Sequence, residues 1–163
     1  LDDGTRISLV DRRALSSITL DKEGSSSLPK LGKEASDRTL DAAYLAEVLQ
    51  RRKIPIKPAL MDQSVLAGLG NIYAAEALWE AELDPRSSAA TISKEKLEKL
   101  VAAIRLVLSP RRRRPGRYTD TRGRERFMVY DREGKVCRRC GGTIERIVQA
   151  GRSTYFCPEC QLG

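Results

Sequence analysis

Four cysteines, all within the last 27 residues, are spaced Cys137-x-x-Cys140 and Cys157-x-x-Cys160, with 16 residues between the two pairs. Two such corners flanking a short β-ribbon match a tetrahedral zinc site, in which four thiolates replace the metal's water shell. The chain has no histidine and no fifth cysteine, so the ligand set is closed. A closed set leaves no position for an activated water, and the metal reads as one structural Zn2+ rather than a catalytic one. Two disulfides, or iron in a four-thiolate site, are the alternatives. The N-terminus carries no charged-then-apolar signal pattern. The thiols therefore fit a reducing cytoplasm (the nucleoid, in a bacterium), where metal is favoured over disulfide.

Charge is the second constraint. The net +8 of this 163-residue chain is unevenly spread. Residues 1–108 hold 16 basic and 16 acidic side chains, whereas residues 109–163 hold 14 basic against 6 acidic. An excess focused on one-third of a chain suits a polyanionic partner, because each phosphate contact releases counterions. A solvated basic surface is the plain alternative. No run approaches 18 apolar residues, so no membrane helix is expected.

Periodicity makes the chain mainly helical. Arg6 to Val10 alternates at period two after the Asp3-Gly4 turn, and Ile18-Thr19-Leu20 suits a second short strand. Two strands cannot bury a face alone, so residues 1–20 read as the stub of a β-domain. Residues 21–36 read as a polar linker. Ser36 or Asp37 is expected to cap a helix that runs to about Arg52, with Leu40, Tyr44, Val48 and Leu49 inward. A short helix is expected over residues 59–67, then an interruption at Gly68-Leu69-Gly70. A strong helix follows from Asn71 to about Ala81, with Ile72, Ala75, Leu78 and Trp79 inward. Ser93 caps a last helix from Lys94 to Leu108. Residues 111–126 contain eight arginines and two glycines and read as a loop. Ile144 to Val148 and Ser153 to Phe156 are expected to form two strands joined at Ala150-Gly151.

Two stretches carry candidate chemistry. A glycine bend feeding a helix at Asn71 makes a pocket of unpaired amides suited to phosphate. Asn71 would cap that helix and offer an amide donor, and Lys57 could reach the same anion. An ordinary helical hairpin is the competing reading. Arg152, at the tip of the cysteine ribbon, has forked donors that match phosphate oxygens. Tyr130 could donate its hydroxyl to a phosphate or simply pack. No catalytic set emerges: histidine is absent, and a lysine nucleophile needs a depressed pKa, which a bound phosphate opposes at Lys57.

The stretch from Ile56 to Trp79, with Asp62-Gln63-Ser64 and Gly68-Leu69-Gly70-Asn71-Ile72-Tyr73-Ala74, resembles the helix–two-turn–helix of the formamidopyrimidine-DNA glycosylase/endonuclease VIII family. Val129-Tyr130-Asp131-Arg132-Glu133-Gly134, the four cysteines, Gly151-Arg152-Ser153-Thr154 and Gln161 are similar to that family's C-terminal zinc finger. The resemblance divides the chain into a remnant of an N-terminal β-sandwich (1–20), the linker (21–36), a helix–two-turn–helix domain (37–110), the arginine-rich loop (111–126) and a zinc-finger β-ribbon (127–163). It implies excision of damaged bases from duplex DNA, with the target nucleotide flipped out of the stack. Lys57, Asn71, Tyr130 and Arg152 would hold phosphates around that nucleotide, and Cys137, Cys140, Cys157 and Cys160 would bind zinc. The loop at 111–126 would match the segment that folds over the flipped base.

Family enzymes begin with a proline and a glutamate, the proline amine being the nucleophile. This sequence begins at Leu1, and where the family has Asp-Pro-Arg-Arg-Phe it reads Asp11-Arg12-Arg13-Ala14-Leu15. The expectation is a monomer that binds damaged or abasic duplex DNA through zinc-stiffened contacts. It would need no small-molecule cofactor and would lack catalysis in this chain alone. A fragment of an active glycosylase/AP lyase, or a zinc-ribbon adaptor for RNA or protein, are the alternatives.

Overall fold

The computed structural model of the protein describes residues 29–109 and 127–162, together with positions 3–4, 6, 8–11 and 20–23. The expected strand residues Ile7, Ile18 and Thr19, the stretch 12–15 and the arginine-rich segment 111–126 lie outside the described residues. The described positions among 3–11 carry no strand, and Leu9, Val10 and Leu20 are exposed.

Among the described residues, four α-helices, one 3-10 turn (Ala89–Thr91) and four short strands follow. Strand β1 (Lys33–Glu34) lies in the stretch read as linker, and pairs in parallel with β2 (Leu66–Ala67). The polar composition of residues 21–36 conceals how tightly their end is fastened. The Gly32 amide donates to the Gln63 carbonyl at 2.9 Å and the Ala35 amide to the Ala67 carbonyl at 2.8 Å. Ala35 is buried. The Tyr44 hydroxyl bridges the two strands, donating to the Val65 carbonyl and accepting from the Lys33 amide.

Helix α1 (Ala42–Leu49) starts later than the pattern suggests. Its cap is Asp41, whose carboxylate accepts the Tyr44 amide at 2.8 Å. Asp37 instead holds a turn by accepting the Thr39 amide. The cause is Arg105, which donates to the carbonyls of Arg38 and Leu40 and so satisfies that approach from a distant helix. Helix α2 (Ile56–Met61) also departs from the expected 59–67. It begins after Pro55, and Pro58 sits in its first turn, where a missing N–H loses no intrahelical bond. Leu66 and Ala67, read as helix, form β2 because the 32–35 edge supplies their partners.

Helix α4 (Lys94–Leu108) matches its sequence pattern, with the Ser93 hydroxyl accepting the Lys96 amide. Leu97, Leu100, Val101, Ala103, Ile104 and Val107 are buried, while Leu108 packs at the margin. Helix α3 (Asn71–Glu80) is buried along most of its length. Ala74, Ala77 and Leu78 enter the main core with α1, α2 and α4, while Ala75 and Trp79 enter a second core with Val129, Cys137, Ile144 and Cys157. Ile72, expected inward, is half-buried.

The second core belongs to an antiparallel ribbon, β3 (Glu145–Gln149) and β4 (Arg152–Phe156), with Gln149 facing Arg152 across the turn. Ala150 and Gly151 both adopt positive φ, 47° and 72°. A two-residue hairpin loop of that handedness matches the natural twist of the strands. Alanine meets this geometry against its own preference, whereas glycine has none to overcome.

Gly32 fixes the approach of β1. A Cβ there would lie 2.4 Å from the Val65 carbonyl oxygen, a backbone atom with nowhere to move. Gly32→Ala is expected to destabilise the protein by about 1–3 kcal/mol. Urea denaturation followed by circular dichroism measures this, and an unchanged midpoint would show that the 32–35 edge carries little stability.

Candidate nucleic-acid interface

Three elements bring the predicted contact residues together. Lys57 lies on the first turn of α2, Asn71 is the first residue of α3, and Arg152 opens β4. The Lys57 Nζ donates to Asn71 Oδ1 at 2.5 Å and to the Ser153 carbonyl at 3.3 Å. Asn71 Nδ2 donates to the same carbonyl at 3.1 Å. The backbone of the ribbon tip is thereby tied to both helices.

Asn71 is not the helix cap. That position is taken by Gly70, in extended backbone, and no side chain caps the helix. The reason is competition: the Asn71 side chain is committed to Lys57 and Ser153, so the positive end of α3 is open to an anion. Gly68 makes the bend with φ +79°, and its amide is held by Gln63 Oε1 at 2.8 Å.

Lys57 is 1% exposed. Burial, reinforced by the neighbouring Arg152 charge, brings its ammonium pKa down to about 8. Among the described residues no carboxylate forms an ion pair with it. Arg152 is exposed, and among the described residues its guanidinium has no hydrogen-bonded or ionic partner. Two cations with no counter-ion, an amide and an open helix end therefore share one corner. An arriving anion supplies the charge this corner lacks.

Tyr130 is half-buried, edge-on against Phe127 at 5.7 Å and against Tyr155 of β4 at 5.2 Å. Its position is set by Glu76, which the sequence pattern does not single out. The Glu76 carboxylate, buried on α3, accepts the amides of Met128, Val129 and Tyr130, each at 2.9 Å. Three consecutive amides converging on one carboxylate make a strong, charge-assisted anchor. Its only signal in the sequence is an acidic residue inside the apolar run Ala74 to Trp79.

The four sulfurs lie within 4.8 Å of one another, with Cys137 to Cys160 at 3.8 Å and Cys140 to Cys157 at 3.4 Å. A tetrahedron of Zn–S bonds near 2.3 Å places sulfurs about 3.8 Å apart, so the cluster fits one zinc ion. Burial would push the Cys137 thiol up, but the amides of Cys140 and Arg139 and the Trp79 side chain outweigh it and bring the thiol to about 6. The Arg139 guanidinium stacks over the Trp79 ring at 3.9 Å and donates to the Trp79 carbonyl at 2.7 Å. Gln161 closes the module, accepting the Cys157 amide and donating to the Leu83 carbonyl beyond α3.

Comparison with known proteins matches residues 31–114 to the H2TH domain of formamidopyrimidine-DNA glycosylase. Residues 134–162 match the zinc finger found in FPG and IleRS. The chain belongs to the formamidopyrimidine-DNA glycosylase family. It is 44% identical to the formamidopyrimidine-DNA glycosylase of Chloroflexus aurantiacus, over 99% of this chain and 62% of that protein. It is 47% identical to that of a Chelativorans species, over 80% of this chain and 50% of the relative. It thus spans between half and two-thirds of the length of these relatives. Among solved structures, the Lactococcus lactis Fpg in complex with DNA containing an abasic site has a TM-score of 0.74 at 32% identity, over 82% of this chain and 52% of that one. The MutM (Fpg) protein from Thermus thermophilus has a TM-score of 0.69 at 36% identity, over 81% of this chain and 54% of that one. The zinc-finger match and the sulfur geometry make the four cysteines a zinc site of one ion.

Glu76→Gln keeps the shape but turns an NH2 toward at least one of the three amides. A loss of about 2 kcal/mol or more in stability is expected. Chemical denaturation reads it, and a variant as stable as the parent would refute the anchor.

Proposed function

We propose that this chain is the DNA-gripping part of a base-excision glycosylase, binding the sugar–phosphate chain of damaged or abasic duplex DNA. The observation that carries this reading is the meeting of Lys57 and Asn71 on the ribbon-tip backbone beside the Arg152 charge, cations that have no counter-ion among the described residues, next to an open helix end. In this proposal Lys57 and Arg152 supply charge, Asn71 and the first amides of α3 supply directed donors, and Tyr130 borders the site. Phosphate contacts of this kind fix register and orientation without reading sequence. The family resemblance and the relatives' names support DNA repair as the setting.

We further propose that these residues hold the substrate without supplying the nucleophile. Lys57 has the lowered pKa an amine nucleophile needs. However, its nitrogen is buried and donates to two acceptors, so its lone pair has no route to a sugar carbon. The zinc ligands form a closed thiolate set with no site for water.

The test is fluorescence anisotropy with a duplex carrying an abasic site, titrated between about 50 and 200 mM salt, with borohydride trapping on the same samples. Binding that weakens with salt and no trapped adduct are expected. Arg152→Ala and Asn71→Ala should each weaken binding to lesion and plain duplex alike, by about 1–3 kcal/mol. Salt-independent binding would remove the phosphate reading, and a trapped adduct would remove the non-nucleophilic one.

Lys57 also sets a pH dependence. Its pKa near 8 in the free protein should rise when a phosphate arrives, so binding takes up a proton above that pH. Affinity is expected to hold below about pH 8 and to fall by up to tenfold per unit above it. Lys57→Met should flatten that decline in the same titration, and an unflattened profile would assign it to another group.

A further inference from the structure

We propose that Trp79 and Arg139 are positioning residues that form an outer shell for the zinc ion, hydrogen-bonding to the sulfurs of Cys137 and Cys160 and slowing loss of the metal. The proposal stands apart from the DNA-binding reading, because it concerns how the metal is kept and not what the ribbon grips. Four thiolates around one Zn2+ leave an excess of negative charge on the sulfurs. Cys137 and Cys157 are both buried, and charge taken from water needs donors or cations around it. The second cysteine pair makes that demand greater. Glu159 stands before Cys160 as Arg139 stands before Cys140, and its carboxylate lies 4.0 Å from the Cys140 sulfur.

Trp79 supplies the first donor from the last turn of α3, outside the ribbon. It is 6% exposed and shares the second core with Cys137 and Cys157. Its indole N–H is buried, and among the described residues no oxygen or nitrogen accepts it. A buried N–H without a partner is costly, and the acceptor it faces is the Cys137 sulfur. Sulfur is larger and more diffuse than a carbonyl oxygen, so it suits a longer contact. Arg139 supplies the second donor from within the first cysteine pair. Its guanidinium stacks over the Trp79 ring, donates to the Trp79 carbonyl at 2.7 Å and reaches the Cys160 sulfur at 3.9 Å. The last turn of α3 has no basic residue of its own, so this one cation serves both the negative helix end and the sulfur. Its carboxylate partner is Glu82, 3.8 Å away and 56% exposed, a pair that solvent screens. Each module thus contributes one donor, and the indole and guanidinium fix one another. Outer partners of this kind orient metal ligands and tune the charge on them.

The experiment uses the whole chain, loaded with zinc or with cobalt in its place. Competition with a chromogenic chelator measures zinc affinity, and absorption records the sulfur-to-cobalt charge-transfer bands. Trp79→Phe, which keeps a ring and removes the N–H, should weaken zinc binding about tenfold or more, and so should Arg139→Gln. A hydrogen bond lowers the energy of the sulfur electrons, so both variants should also move the cobalt bands to longer wavelength. A loss of packing alone would leave those bands in place. Glu82→Gln, which removes only the ion pair, should keep both readouts at the parental values, and weaker zinc in that variant would assign the Arg139 effect to the pair. Parental zinc affinity in Trp79→Phe, or weaker zinc with unmoved cobalt bands, overturns the role of the indole. The same two results in Arg139→Gln overturn that of the guanidinium. Trp79 is the single tryptophan of the chain. Should Trp79→Phe fail to fold, 3-benzothienylalanine at that position, with sulfur in place of the N–H and nearly the same shape, carries the same criterion.

Discussion

Helix α3 is packed on two sides, and the remaining architecture depends on that. Most helices at a protein surface present one apolar stripe to one core. Here Ala74, Ala77 and Leu78 face the helical body, while Ala75 and Trp79 face the metal module. The small residues let both partners approach closely. Glu76 points between them and takes three amides from the chain entering the ribbon. A buried carboxylate is costly unless hydrogen-bonded, so the two modules have one mutual arrangement that satisfies it. Asn71 at the start of α3 and Arg152 at the ribbon tip are thereby held in a fixed relation.

The zinc site acts at a distance. Its cysteines sit near the end of α3, with Trp79 and Arg139, whereas the candidate anion site sits at the beginning of that helix. Between them runs a five-residue hairpin arm whose tip adopts positive φ at Ala150. An isolated two-stranded hairpin is marginal in water, and an alanine in that conformation weakens it further. The metal at one end, and the Lys57 and Asn71 bonds to Ser153 at the other, stabilise a strand pair that could not hold its shape alone. Gln161, reaching from the cysteine corner to the Leu83 carbonyl, fixes the base of the same arm.

Legibility in the sequence follows the range of the interaction. The ribbon, α3 and α4 are readable nearly to the residue, because cysteine spacing, a serine cap and an apolar period are local signals. The four cysteines, Lys57, Asn71 and Arg152 stand out on motif grounds, and the structure brings the last three into one corner. What escapes a sequence reading is non-local. The start of α1 is displaced by Arg105, 65 residues away from Leu40. The fastening of Gly32 depends on the carbonyls of Gln63 and Val65. Asn71 resembles a cap in sequence, yet its side chain is taken by Lys57 and by Ser153, 82 residues on. Glu76 carries no local sign of its partners.

The choice of Lys57 over a surface lysine has an energetic logic. An exposed ammonium is already solvated, and an anion gains little by meeting it. A buried one has lost its water and, among the described residues, found no carboxylate, so its charge is held at a cost that shows as the lowered pKa. In the proposed function, an arriving phosphate would restore a partner to that charge, and the interaction would be stronger for having less water to displace. Asn71 prevents the amine from turning away, and the Arg152 charge raises the demand for an anion further. In the proposed reading, the features that suit this corner to phosphate also disfavour nucleophilic attack, because an amine committed to two acceptors and kept protonated by a bound anion would have no free lone pair to offer.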